Sequence, residues 1–229
     1  AAIVSNLAFD DEMLNAIVEG GGIKTLLALI ESGDAPSNIA DICVRAIGRL
    51  GTSAEGLEQL LSSNAIKSIL AVVENDNVSA ESLASALLTF KTLSTCDEGV
   101  EAIVNCGGLD SLLRSIDRVN CDQHTMKIAL DCLDSMMNQP KIFDAVNTEN
   151  NLSMVFNALQ KYPDSTEIAK SAASIFARMC QDDDRLNEMC SADNVNIVLK
   201  CLRLNKTNKE VVINCFEVIS KLIYRKVKF

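Results

Sequence analysis

Five segments at one fixed step constrain this chain more than any other feature in it. GGLDSLLRSI, residues 107 to 116, carries Leu109; Ile66 stands 43 residues earlier in NAIKSILAVV, and Ile23 stands 43 before that in GGIKTLLALI. Forward, the same step of 43 reaches Leu152 in NNLSMVFNAL and Val195 in DNVNIVLKCL. A period between about 20 and 50 residues marks a solenoid, whose units bury their apolar faces only by stacking on neighbours. Each unit then contacts mainly the next, so residues 1–229 are read as one continuous domain.

Every period holds three segments with helical spacing of apolar residues. After Phe9, Leu14, Ile17 and Val18 predict a short first helix. Ile23, Leu26, Leu27 and Ile30 predict a second, and Ile39, Cys43, Ile47 and Leu50 a longer third. The ladders persist. Ile47 is followed at the same register by Phe90, Leu133, Phe176 and Ile219, and Leu50 by Leu93, Met136, Met179 and Leu222; the first helices run Leu14, Leu57, Val100, Phe143, Leu186. Rows of this kind are what a shared, stacked core requires.

The corners repeat with them. Gly21, Asn64, Gly107, Asn150 and Asp193 occupy one position between first and second helices, and all are residue types that tolerate a left-handed backbone. A helix ending there needs that conformation at its C-terminal cap. Asp34, Asn77, Asn120 and Pro163 give turn chemistry between second and third helices, and Pro140 suits the first turn of a helix. The expectation is all-α: a partial helix over 1–9, then five three-helix units at about 10–52, 53–95, 96–138, 139–181 and 182–229. AAIVSNLAF opens as a helix pattern with no cap before it, so the chain is expected to begin inside an element, with sequence upstream of Ala1.

Charge and cysteine usage narrow the function. Asp and Glu number 31 against 21 Lys and Arg, a formal charge of −10 that repels nucleic acid phosphates. Charged residues interrupt every apolar stretch, so no membrane span is expected. The nine cysteines form no CxxC pair; Cys43 and Cys215 share a register with Ala86, Ala129 and Ala172, which reads as small core residues in a reducing, cytoplasmic compartment. His124 is the one histidine, with no Ser or Cys nucleophile at a suitable repeat position. GGGIK and GGLDS lack the Gly-Lys-Ser/Thr of a phosphate loop, and the acidic run Asp182 to Asp184 reads as a solvated helix start. The expectation is a non-catalytic protein without cofactor or metal. The C-terminal YRKVKF reads either as a charged terminal cap or as a contact for an acidic partner or membrane surface.

Three helices in about 43 residues, the first short, with a Gly-(Gly/Ala)-(Ile/Leu) corner and a third helix ending Ser-Asn-Leu-Ala as in AAIVSNLAF, resemble the armadillo-repeat superfamily. The resemblance covers the whole chain. It implies a right-handed α-α superhelix in which the third helices line a concave groove that holds an extended peptide or helix. Nuclear-import adaptors of this family carry Asn and Trp ladders there. Asn6 matches the Asn, but its successors are Arg49, Thr92, Ser135, Arg178 and Lys221; the Trp position holds Ala2, Arg45, Leu88, Asp131, Ser174 and Glu217, and the chain has no Trp. That departure weighs against the import reading.

What stands there instead is a more basic face on an acidic body. Arg45, Arg49, Lys127, Lys170, Arg178 and Lys221 are nearly balanced by Asp41, Asp131 and Glu217 and other third-helix acids, so the acidic excess lies on the first and second helices and turns. A groove that accepts acidic or polar anchors follows, with Arg45, Arg49 and Arg178 as carboxylate contacts. The resemblance leaves two alternatives: a transport adaptor of nuclear-import type, or a membrane-tethered armadillo-only adaptor for a motor or vesicle, anchored by a lipid on upstream sequence and so peripheral at a membrane. Spacing leaves the partner's identity and the oligomeric state open.

Overall fold

The computed structural model describes residues 11–31, 37–62, 64–118 and 121–227. All regular structure among them is α-helix. The chain forms two compact units, Ala1–Cys132 and Leu133–Phe229. The first holds α1 (Asp11–Glu19), α2 (Gly22–Glu31), α3 (Ser37–Leu50), α4 (Ala54–Ser62), α5 (Ala65–Glu74), α6 (Ala80–Leu93), α7 (Asp97–Asn105) and α8 (Gly108–Ile116). The division falls inside α9 (Gln123–Met136). The second unit continues with α10 (Pro140–Val146), α11 (Glu149–Lys161), α12 (Thr166–Met179), α13 (Asp183–Met189), α14 (Ala192–Leu204) and α15 (Lys209–Val227).

Helix starts follow the sequence period. The short first helices begin at 11, 54, 97, 140 and 183, and the long third helices at 37, 80, 123, 166 and 209. For the third helices that begin at 80, 123, 166 and 209 the cause lies one residue earlier. Ser79, Asp122, Ser165 and Asn208 each offer a side-chain oxygen that accepts the N–H three residues on, at 3.1, 2.8, 3.4 and 3.1 Å. A capping oxygen satisfies one of the four amides that an α-helix leaves unpaired at its start. Asp182 does the same for α13, and Pro140 occupies the first turn of α10, where a missing N–H costs nothing.

Second helices depart from the expected corner. Gly21 and Gly107 take left-handed backbone at φ 78° and 80°, while Asn64 sits at φ −77°. Asn150 and Asp193 lie inside helices, because α11 and α14 start two residues ahead of the period. There Thr148 and Ser191 cap the incoming helix by accepting from Asn151 and Asn194 N–H at 3.4 and 3.2 Å. The Asn151 and Asn194 amides donate back to Val146 O and Glu188 O, at 3.1 and 3.0 Å. At these two corners a side-chain amide takes up a carbonyl near the end of the outgoing helix, whereas Gly21 and Gly107 donate their backbone N–H to Val18 O and Val104 O.

Within each unit like helices pack on like. In the first, α3 packs on α6, α2 on α5 and α5 on α8; in the second, α12 packs on α15 and α11 on α14. The third-helix ladder is buried at Ile47, Phe90, Leu133 and Phe176, and so are Leu50, Leu93, Met136, Met179 and Leu222. Each fully buried large side chain of this kind stabilises by about 1.5 to 3 kcal/mol relative to exposure. Cys43, Ala86, Ala129, Ala172 and Cys215 are all buried, as their shared register implied. Other positions of the predicted ladders differ: Ile39 is exposed, and Leu57, Phe143, Val195 and Ile219 are half-buried. The segment 1–9, with Asn6, lies outside the described residues, as do Asp34 and Asn120.

Candidate functional site

In the first unit the outward side of the third helices opens into a depression of about 400 Å³. Its walls come from α3, α6 and the start of α9. Cys43, Ile47 and Leu50 turn inward on α3, and helical spacing therefore turns Arg45 and Arg49 out, where both line the depression. Leu88, Ala84 and Ile128 supply apolar surface. Gly48 lets the two helices approach, since a Cβ there would stand 2.7 Å from Thr89 Oγ1. Arg45 pairs with Glu81 through one guanidinium nitrogen, while its Nε is buried without an acceptor.

The rim includes residues that sequence reasoning did not place there. Asp122 and His124 line the same depression because they stand at the start of α9, where it passes α6; Thr125 Oγ1 donates to Ala80 O at 3.3 Å and joins the two helices. The Thr125 backbone N–H, with lesser help from its hydroxyl and from His124, holds the Asp122 carboxyl below its usual range. The capping register 79, 122, 165, 208 was the available signal. Ser85 also lines the depression, but its hydroxyl donates to Glu81 O within α6 at 2.8 Å.

Other expected groove residues are engaged differently. Asp131 is no open anchor: Lys91 and Lys127 each donate to its Oδ2 at 2.7 Å, and its side chain is only 16% exposed. Spacing put it on the outward face, yet one lysine a turn back and one on the neighbouring helix close over it. The Thr92 hydroxyl donates to Leu88 O at 3.0 Å. Asp41 lies on α3, with its side chain outside the description. Ser135 is half-buried on α9.

The second unit carries its own depression of about 430 Å³, which brings together Ser174, Arg178 and Glu217 with Phe143, Gln181 and Asn214. Its polar groups are largely paired. Ser174 Oγ and Arg178 Nε both donate to Asp134 Oδ1, at 2.8 and 3.1 Å, and Arg178 Nη1 donates to Asn138 Oδ1 at 2.8 Å. Glu217 accepts from Gln181 at 3.0 Å and lies 3.6 Å from Lys221; Lys170 pairs with Glu210 at 2.9 Å. Arg178, expected as an open carboxylate contact, is thus already half-neutralised by Asp134. Phe143, expected in the core ladder, is part of this wall.

All nine cysteines are free thiols. Burial pushes Cys132 up to about 12. Cys215 is raised chiefly through its hydrogen bond with Cys201, which is lowered by the same contact. Cys201 also lines a smaller opening of about 200 Å³ beside Lys200, Asn196 and Gln160. Among the described residues no group of three His, Cys, Asp or Glu side chains is placed to hold a metal ion. No single described helix is long and apolar enough to cross a membrane; one pair, Glu12–Glu19 with Gly22–Glu31, meets that length and composition together but is bent by 62°.

No family model matches the chain, and no curated protein does. Its similarity is to solved structures. One engineered protein, crystallised by the Northeast Structural Genomics Consortium, superposes with a TM-score of 0.77 at 18% identity, over 96% of this chain and 87% of that one. A second engineered protein from the same consortium gives a TM-score of 0.77 at 21% identity, over 96% of this chain and 52% of that one. At these identities the likeness is one of all-helical fold.

Proposed function

We propose that the chain is an armadillo-type array of about five three-helix repeats that acts as a non-catalytic protein-binding scaffold. It takes an extended peptide or helix on the outward side of its third helices. Three helices per 43-residue period and like-on-like packing inside each unit support the array. The observation that carries the function is that Arg45, Arg49 and Leu88, which spacing alone grouped on one face, line a single depression with apolar walls. The guanidinium groups of Arg45 and Arg49 on the depression suit an incoming carboxylate, and Leu88 suits an apolar neighbour of it. Ser85, whose hydroxyl is engaged within its own helix, supports a binding role over a hydrolytic one.

The experiment is a selection of displayed peptides on the immobilised chain, followed by titration of the best acidic sequence. Arg45→Glu with Arg49→Glu is expected to weaken that peptide by about tenfold or more, since charge-assisted contacts are the strong ones. Arg178→Glu is expected to leave it nearly unchanged, because Arg178 lines the separate depression of the second unit. Selected peptides without acidic residues, or an affinity unchanged by the paired reversal, end this reading.

A further inference from the structure

Cys201 on α14 and Cys215 on α15 are both buried and share a hydrogen bond, with the Cys215 thiol donating and Cys201 Sγ accepting. At the same register the preceding period has Ala158 on α11 and Ala172 on α12. Before them stand Ser115 and Ala129, then Val72 and Ala86, then Leu29 and Cys43. No earlier period carries sulfur at both positions. Ala158 and Ala172 are buried, and α11 packs on α12 as α14 packs on α15. Two methyl groups thus fill this contact in the preceding repeat, and packing alone does not call for a thiol pair in the last. Small residues on both sides also let the two helix backbones approach, and a disulfide needs Cα atoms about 4.4 to 6.8 Å apart.

The pair has an entry. Cys201 lines the opening of about 200 Å³ between α11 and α14, together with Gln160, Asn196 and Lys200. A water molecule's share of the liquid is about 30 Å³, so a small peroxide fits there. Cys215 is absent from the described residues that line the opening, so an oxidant entering it meets Cys201 first. The shared hydrogen bond divides the roles in the same sense, because it favours the Cys201 thiolate and keeps the proton on Cys215. The turn between the two helices is held at both ends. Asn205 Nδ2 donates to Cys201 O at 2.9 Å, and Asn208 Oδ1 accepts the Val211 N–H at 3.1 Å. The second thiol is therefore presented to the first in a fixed place, and an intramolecular step between them outruns reaction with a second oxidant molecule.

We propose that Cys201 and Cys215 are a reversible oxidation site for hydrogen peroxide, with Cys201 as the attacking sulfur and Cys215 as the resolving one. The Cys201 thiolate attacks one peroxide oxygen. An S–O bond forms, the O–O bond breaks, and the departing hydroxide takes up the proton that Cys201 gave and leaves as water. The sulfur is oxidised to a sulfenic acid and the peroxide is reduced. Cys215 Sγ then attacks Cys201 Sγ: the S–S bond forms, the S–O bond breaks, and hydroxide leaves with the Cys215 proton as a second water. Two thiols and one peroxide give one disulfide and two waters, and a dithiol reductant reverses the change. The bridge ties α14 to α15 across their turn. It lies in the second unit and does not rest on binding at the Arg45 depression.

The test exposes the full chain, reduced and then freed of reductant, to hydrogen peroxide at pH 8. Remaining thiols are capped with N-ethylmaleimide in denaturant, and the chain is digested for mass spectrometry. The expected main product is a peptide pair linked through Cys201 and Cys215, formed at least about tenfold faster than any oxidation of Cys132 and lost again on dithiothreitol. Cys215→Ala, which copies the packing of Ala172, is expected to keep its helical circular dichroism and to leave Cys201 with one or two added oxygens in place of the link. Cys201→Ala is expected to lose the link and to leave Cys215 a free thiol. A wild-type chain that forms no such link, or that links other cysteines as readily, overturns the proposal. So does a Cys215→Ala chain of unchanged circular dichroism whose Cys201 gains no oxygen.

Discussion

Cys132 and Cys201 are both buried, yet their thiols are set in opposite directions. Burial lifts Cys132 from 9.0 to about 12, so at pH 8 its thiolate is about one part in ten thousand. Cys201 is lowered by the hydrogen bond with Cys215 and stands at an opening in the surface. Alkylation by iodoacetamide at pH 8, followed by mass spectrometry, is expected to reach Cys201 well before Cys132 or Cys215. The Cys132 shift also has a pH signature. A folded-state value above the unfolded one gives stability that is complete below pH 9 and lost as pH rises from 9 toward 12. Urea midpoints across that window are expected to fall less steeply in Cys132→Ala. Two glycines separate in the same assay. A Cβ on Gly99 would stand 2.0 Å from Leu93 O, whereas Gly107 has open space around it and a φ of 80°. Gly99→Ala is expected to cost about 1 to 3 kcal/mol through displaced backbone, and Gly107→Ala about 1 to 2 through strain. Asn in place of Gly107 recovers part of the loss, since Asn tolerates that conformation, and Asn in place of Gly99 recovers none.

At the scale of the helix, a capping oxygen sets the start of α6, α9, α12 and α15. Asp122→Ala is expected to lower stability by about 1 kcal/mol. Its carboxyl lies below the ordinary 3.8 when folded, so its contribution is present above that value and disappears as pH falls through the lower, folded one. Asp122→Asn keeps a capping oxygen and is expected to remove that part of the acid dependence, read from thermal unfolding between pH 5 and pH 2. The helices themselves were legible in the sequence because apolar ladders such as Ile47, Phe90, Leu133 and Phe176 depend only on spacing. The corners were legible where glycine is required, at Gly21 and Gly107. They were not legible at Asn150 and Asp193, whose residue types tolerate a left-handed backbone without demanding it. Thr148 and Ser191, two residues earlier, offered a side-chain cap that ended the competition. The outward faces followed from spacing as well. Their pairings did not: Lys91 reaches Asp131 across 40 positions, and Ser111 donates to Glu74 on the preceding second helix, contacts set by flexible side chains that no local pattern encodes.

For the whole molecule, the proposed binding face, which holds arginines on a chain of formal charge −10, sets two ranges of electrostatics against each other. Arg45 and Arg49 attract an acidic ligand from a few ångströms, while the acidic excess acts on it from the rest of the surface. Salt separates the two. At 0.01 M the screening length is about 30 Å, so an approaching acidic peptide feels nearly the full negative charge; at 0.15 M it is about 8 Å, and only groups near the depression count. Contacts made at the site are screened much less than the long-range repulsion until salt rises further. The affinity of the selected acidic peptide is therefore expected to rise between 0.01 and about 0.1 M NaCl and to fall toward 1 M, as isothermal titration at five salt concentrations can read. In the Arg45→Glu, Arg49→Glu chain the falling arm disappears, because only repulsion remains to be screened. A monotonic fall in the wild type would mean that local cations dominate at every range, and a monotonic rise that the peptide sits away from the two arginines.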